Sequence, residues 1–149
     1  MRFPMRATTM HDVNFKAVKI DCSEAIDWEI MQVLFDSMEE WLDEDERTGP
    51  YLLVSVNFEF GREVSVEFHD GVDYRGGRIL RVELWRRRVL TVMMDGSTLD
   101  ISFELTDQMF NDLRYYLAIM IPKRSFRDHC LAEYGPAIPP ASAPDDEMQ

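Results

Sequence analysis

The chain has 149 residues, 46% of them hydrophobic and 30% charged, with a formal net charge of -12. That length predicts one globular domain over residues 1–134 with a real core, and the acidity weighs against general nucleic-acid binding, which needs Lys and Arg at phosphates. No apolar run approaches the ~20 residues of a membrane span, no apolar stretch follows Arg2 and Arg6 as in a secretory signal, and two cysteines, Cys22 and Cys130, are too few for a disulfide framework, so a cytoplasmic protein is expected.

Residues 13–20 read as a short strand. Ile26, Ile30, Val33, Leu34, Met38 and Trp41 then recur at helical spacing, which predicts an amphipathic helix ending near residue 44. Asp21 and Ser23 suit its N-cap, and Thr48, Gly49 and Pro50 stop it. From Tyr51 the period becomes two, with Leu52, Val54, Val56, Phe58 and Phe60 on one face of a strand. A three-residue loop at Gly61 places Phe60 opposite Val64, and Val66 and Phe68 continue the pattern. Leu80, Val82 and Leu84 form the next strand, residues 89–94 another, and Leu99, Ile101 and Phe103 the last. A type I′ turn at Asp95-Gly96 pairs Val92 with Leu99 and Leu90 with Ile101. A three-residue turn at residues 86–88 sets Leu84 opposite Leu90.

A second helix starts at Thr106, with Met109, Phe110, Leu113, Leu117 and Met120 as its apolar stripe and Pro122 as its stop. One more short helix is expected between residues 123 and 134. Residues 135–149 are Pro- and Ala-rich with an acidic end and read as a disordered tail. Ser55, Asn57, Glu59, Ser65, Glu67, Arg81, Glu83, Asp100, Ser102 and Glu104 fall on a wet sheet face. The expected fold is α+β: a two-layer, antiparallel β-meander of about five to six strands, with two main helices on one face.

Between residues 21 and 46 the chain carries eleven carboxylates and no Lys or Arg. On a helix, Glu29, Asp36, Glu39, Glu40 and Asp43 share one side, opposite the apolar stripe. Asp36 with Glu40 and Glu39 with Asp43 are like-charge i,i+4 pairs, and Glu44, Asp45 and Glu46 crowd the negative end of the dipole. Such charges do not serve the helix itself. A solvated face that aids solubility is the plainer reading; a docking surface for a basic partner, formed by these eight residues, is the sharper one.

The opposite charge gathers at Arg75, Arg78, Arg81, Arg86, Arg87 and Arg88, with Trp85 among them. Arg81, Trp85, Arg86, Arg87 and Arg88 make a second candidate interface, in which Trp85 accepts a cation–π contact from Arg87. The plainer reading is a hairpin tip whose charge discourages edge pairing. A third option is contact between the Arg hairpin of one copy and the acidic helix of another, which is head-to-tail unless a two-fold axis pairs it twice into a homodimer. His11, His69 and His129 lack metal-ligand spacing. Cys130 has no recognisable base, and Gly71, Gly76 and Gly77 lack the Lys-Ser/Thr of a phosphate loop. No catalytic residue, metal or cofactor is expected.

In size, acidity and absent chemistry the chain is similar to bacterial immunity proteins, which bind and block a cognate toxin. That resemblance covers architecture and carries over no residues. Type III secretion chaperones are also acidic and of this size, but they place a helix between strands, for which residues 69–77 are too short and Gly-rich. The expectation is a non-catalytic, immunity- or inhibitor-type protein that occludes a basic toxin or effector, with no nucleic-acid or membrane partner. Its competitors are a small-ligand or enzymatic domain on the polar sheet face and a secretion chaperone or adaptor.

Overall fold

From residue 30 the side chains alternate in two ranks: Met31, Val33 and Phe35 are buried, while Ile30, Gln32 and Leu34 are half-buried. A period of two belongs to a strand, and the computed structural model, which describes residues 11–43, 46–141 and 143, has one there. The expected acidic helix is therefore replaced by a hairpin. β1 (Asp12–Lys16) precedes β2 (Lys19–Ala25) and β3 (Ile30–Asp36), and the last two pair antiparallel from Lys19↔Asp36 to Ala25↔Ile30. β3 also pairs along its whole length with β4 (Tyr51–Asn57). Ladders on both sides satisfy its backbone, and tertiary pairing overrides a helical spacing that a short apolar run also permits.

β5 (Val64–His69) and β6 (Tyr74–Gly77) complete a five-stranded antiparallel sheet in the order β2-β3-β4-β5-β6. The second sheet is built on β7 (Ile79–Trp85), β8 (Arg88–Met93) and β9 (Thr98–Ser102), again antiparallel. β1 adds in parallel to β9 at one edge, and β10 (Phe126–Asp128) in parallel to β7 at the other. Two helices, α1 (Asp107–Met120) and α2 (Leu131–Tyr134), follow the strands among the described residues. The fold is thus α+β with antiparallel meanders, and its strands divide between two sheets of five. No helix among the described residues is long and apolar enough to cross a membrane.

One hydrophobic cluster joins the inner faces of both sheets to α1. Thr106 caps α1 by accepting the Met109 N–H at 3.2 Å, and Phe110, Leu113, Leu117 and Met120 are buried along it. Met109 departs from the expected stripe and is 45% exposed.

Register corrects three expectations. The β8–β9 turn closes on Met93 and Ser97, with a left-handed Gly96 (φ 94°) and the Asp95 carboxylate accepting the Ser97 N–H at 2.8 Å. The loop is thus three residues long rather than two, the arrangement in which a left-handed glycine forms a bulge. Thr91 faces Leu99 and Val89 faces Ile101, so the slip of one residue turns Leu90 to the other face. The β7–β8 turn is shorter than expected and pairs Trp85 with Arg88 and Leu84 with Val89. A bulge between Ile79 and Arg81 leaves Leu80 47% exposed. Finally, β4 ends at Asn57, whose Oδ1 accepts the Glu59 N–H, and the 3-10 turn Phe58–Phe60 leaves Phe60 81% exposed rather than opposite Val64.

Candidate functional site

β3 delivers the Asp36 carboxylate to the outer face of the five-stranded meander, at the end where residues 37–50 loop back toward β4. Arg47, within that loop, meets it in a fork: Nη1 donates to Oδ1 at 2.8 Å and Nη2 to Oδ2 at 3.0 Å. Both side chains are fully buried. The guanidinium packs against two rings that also touch each other, with its central carbon 4.7 Å from the centroid of Trp41 and 4.6 Å from that of Tyr51. Arg47 Nη1 also donates to Gly49 O, and Met38 N donates to Asp36 Oδ1, each at 3.0 Å. A planar fork can satisfy a carboxylate and stack on aromatics at once, which Lys cannot do.

Gly49 lets the loop close. A Cβ there would stand 2.3 Å from the Ser37 hydroxyl, which donates to Pro50 O at 2.7 Å. Beneath the loop, Tyr51 donates its hydroxyl to Glu67 Oε2 at 2.8 Å. Burial, and then that bond to the Glu67 carboxylate, push the Tyr51 phenol above its ordinary value and keep it a donor. His69 stacks on Tyr51 with centroids 6.2 Å apart, and its Nδ1 accepts the Gly71 N–H at 3.1 Å.

The predicted acidic stripe is divided by this arrangement. Asp36 is covered by the loop on the outer face and is 0% exposed, so it cannot meet a partner. Glu29 lies before β3 and the remaining acids after it, at opposite ends of a seven-residue strand, about 20 Å apart at ~3.3 Å per residue. Glu39, Glu40, Asp43 and Glu46 are together on the loop and exposed. Among the described residues none of these four forms an ion pair. Glu44 and Asp45 lie outside the described residues. Trp41, expected in a helix core stripe, is 48% exposed beside the acids.

The arginines have a different fate. Arg75 pairs with Asp70 and Asp73, Arg78 with Glu63, Arg81 with Glu83, Arg86 with Asp107 and Arg88 with Asp100. Arg87 is exposed on the turn. Trp85 lies on the outer face of the second sheet, and Arg88, not Arg87, approaches its ring, at 4.4 Å. The shorter turn explains the exchange, because it seats Arg88 directly opposite Trp85. The His129 ring stacks on Trp85 at 4.5 Å with 6° between planes, and its Nε2 is 2.9 Å from Glu83 Oε1. The guanidinium of Arg81, bonded to Glu83 Oε2 at 2.9 Å, and then His129 hold the Glu83 carboxyl below the usual range. The groups of a conceivable acid–base site here are thus already bonded to one another. Burial pushes the Cys22 thiol up to about 12, helped by the Asp112 and Asp21 carboxylates, and burial also raises Cys130; neither is an activated nucleophile. Among the described residues no group of His, Cys, Asp and Glu is arranged to hold a metal ion.

Sequence reasoning missed Arg47, Tyr51 and His129 as organising residues. Arg47 had a visible signal: it is the first cation after the long acidic run. His129 had none, because β10 brings it to Trp85 from 44 positions away (129 − 85). Compared with known proteins, the chain matches no protein-family model, no curated protein and no solved structure.

Proposed function

We propose that the chain is a non-catalytic, cytoplasmic protein-binding module of the immunity or inhibitor type, which presents its acidic loop to a basic toxin or effector. One observation carries this reading. Glu39, Glu40, Asp43 and Glu46 are exposed and unpaired among the described residues, on a loop held down by a buried Arg47–Asp36 fork and flanked by the half-exposed Trp41. Unpaired carboxylates project an attractive field toward a basic surface and speed encounter, an effect that salt screens. The clamp lowers the ordering cost of docking, and a partly exposed Trp is a common anchor. The five paired arginines, by contrast, have their charge answered within the chain.

The test is affinity capture from the native host at low and high salt, with the wild type and a Glu39→Lys, Glu40→Lys, Asp43→Lys variant. Asp36 is left intact because it belongs to the clamp. A basic protein enriched at low salt and lost with the variant is the expected result. Equal recovery by both forms would sink the acidic-loop reading.

A further inference from the structure

A second feature of the same sheet is independent of the acidic loop's charge. Gln32, Ser55 and Ser65 are directly opposite one another in the register of β3, β4 and β5. Their side chains therefore stand in one row on the outer face, ~4.8 Å from strand to strand. Among the described residues none of the three side chains is hydrogen-bonded or ion-paired to another protein group. The row floors a cleft of about 600 Å³ with Phe60 in its wall, 81% exposed. A smaller cleft of about 230 Å³ shares Gln32 and is walled by Trp41.

The two rings thus bracket one trough. Trp41 packs against Tyr51 at the start of β4, and Phe60 follows its end at Asn57. Six residue steps separate Tyr51 from Asn57 (57 − 51), about 20 Å at ~3.3 Å per step. The charges lining the trough are paired, Glu63 with Arg78 and Asp21 with Lys19 at 3.9 Å.

We propose that this trough binds a neutral carbohydrate, an oligosaccharide lying along β4. Amide and hydroxyl side chains each donate and accept, as sugar hydroxyls do. Flat aromatic faces suit the C–H faces of a pyranose, and the apolar patches between polar groups suit its alternating polarity. A basic peptide is the rival occupant, but the carboxylates beside the row, Asp21, Glu63 and Glu67, are already engaged by Lys19, Arg78 and the Tyr51 hydroxyl.

The test is an amide-resolved NMR titration of the full chain with maltohexaose, cellohexaose and chitohexaose, and with pentalysine. At least one hexasaccharide is expected to shift the amides of Gln32, Ser55 and Ser65. Phe60→Ala and Gln32→Ala are each expected to weaken that binding about tenfold, the loss of one good contact. Phe60 is too exposed for its truncation to endanger folding, and unshifted amides in β7–β9 verify this. The proposal is overturned if no hexasaccharide moves the row, if both variants bind as the wild type does, or if pentalysine moves the row instead. Glu39→Lys, Glu40→Lys, Asp43→Lys should leave hexasaccharide binding unchanged, which separates this outcome from failure of the acidic-loop reading.

Discussion

Replacing Arg47 by Met removes one half of a fully buried ion pair. Asp36 then loses donors at 2.8 and 3.0 Å and keeps the Met38 N–H. Breaking a buried pair from one side costs roughly 3–5 kcal/mol, because the remaining charge is stranded. The loop offers an escape: residues 37–50 can lift and hydrate Asp36, so the loss is capped by the free energy that docks the loop. The expected destabilisation is therefore about 3 kcal/mol, a large share of the ~5–15 kcal/mol typical of a domain. Urea unfolding measures it, and hydrogen exchange locates it, with protection falling in residues 37–50 and persisting in β7–β9. An Asp36→Leu, Arg47→Met double variant should recover most of the loss, since an apolar replacement strands no charge. A loss below about 1 kcal/mol for Arg47→Met, or a double variant as costly as the two singles added together, would refute the clamp.

Two further outcomes test other parts of the molecule. Glu83 has a folded-state pKa below its unfolded value of 4.5; its contribution is fully present above that value and fades as pH falls through the folded one. Glu83→Gln should therefore cost ~1–2 kcal/mol near neutrality, with the gap narrowing as melts are taken progressively below that value, and a gap that persists in acid would contradict the Arg81–Glu83–His129 arrangement. Ile26, Asp27 and Trp28 are all left-handed, with φ of 52°, 52° and 71°, and Ile26 is 62% exposed; Ile26→Gly should raise stability by about 1 kcal/mol, net of glycine's entropy. A lower urea midpoint for that variant would show that the turn is not strained there.

Much of the fold is legible in the residues themselves. Leu52, Val54 and Val56 alternate cleanly and form β4, and Thr106 and Pro122 bracket α1 as capping chemistry requires. Residues 26–41 misled because Ile30, Val33 and Leu34 fall at helical spacing, while Met31, Val33 and Phe35, the rank the strand buries, lie in the same short apolar run. Their turn offers no glycine to mark it: three consecutive non-glycine residues adopt left-handed backbone, held in part by Trp28 packing on Tyr116 at 5.2 Å. The like-charge pairs that a helix would have carried were themselves a warning, since a local choice that fights its own element argues against the element. Exposed acids at residues 39, 40, 43 and 46 were recognisable from composition. The burial of Asp36 was not, because only the folded loop brings Arg47 to it.

The parallel edge strands set the order in which this molecule can be completed during synthesis. Asp12 and Thr98, which bond across the β1–β9 seam, are 86 residues apart in sequence. At ~5–20 residues per second, β1 leaves the ribosome about 4–17 s before its partner exists. The β2–β6 meander needs only neighbours in the chain and can pair while it waits. β10 closes the opposite edge later still, after α1 has been made. The β9 edge stays open until β1 docks and the β7 edge until β10 does, and that interval is when the nascent chain is most prone to pair with another copy.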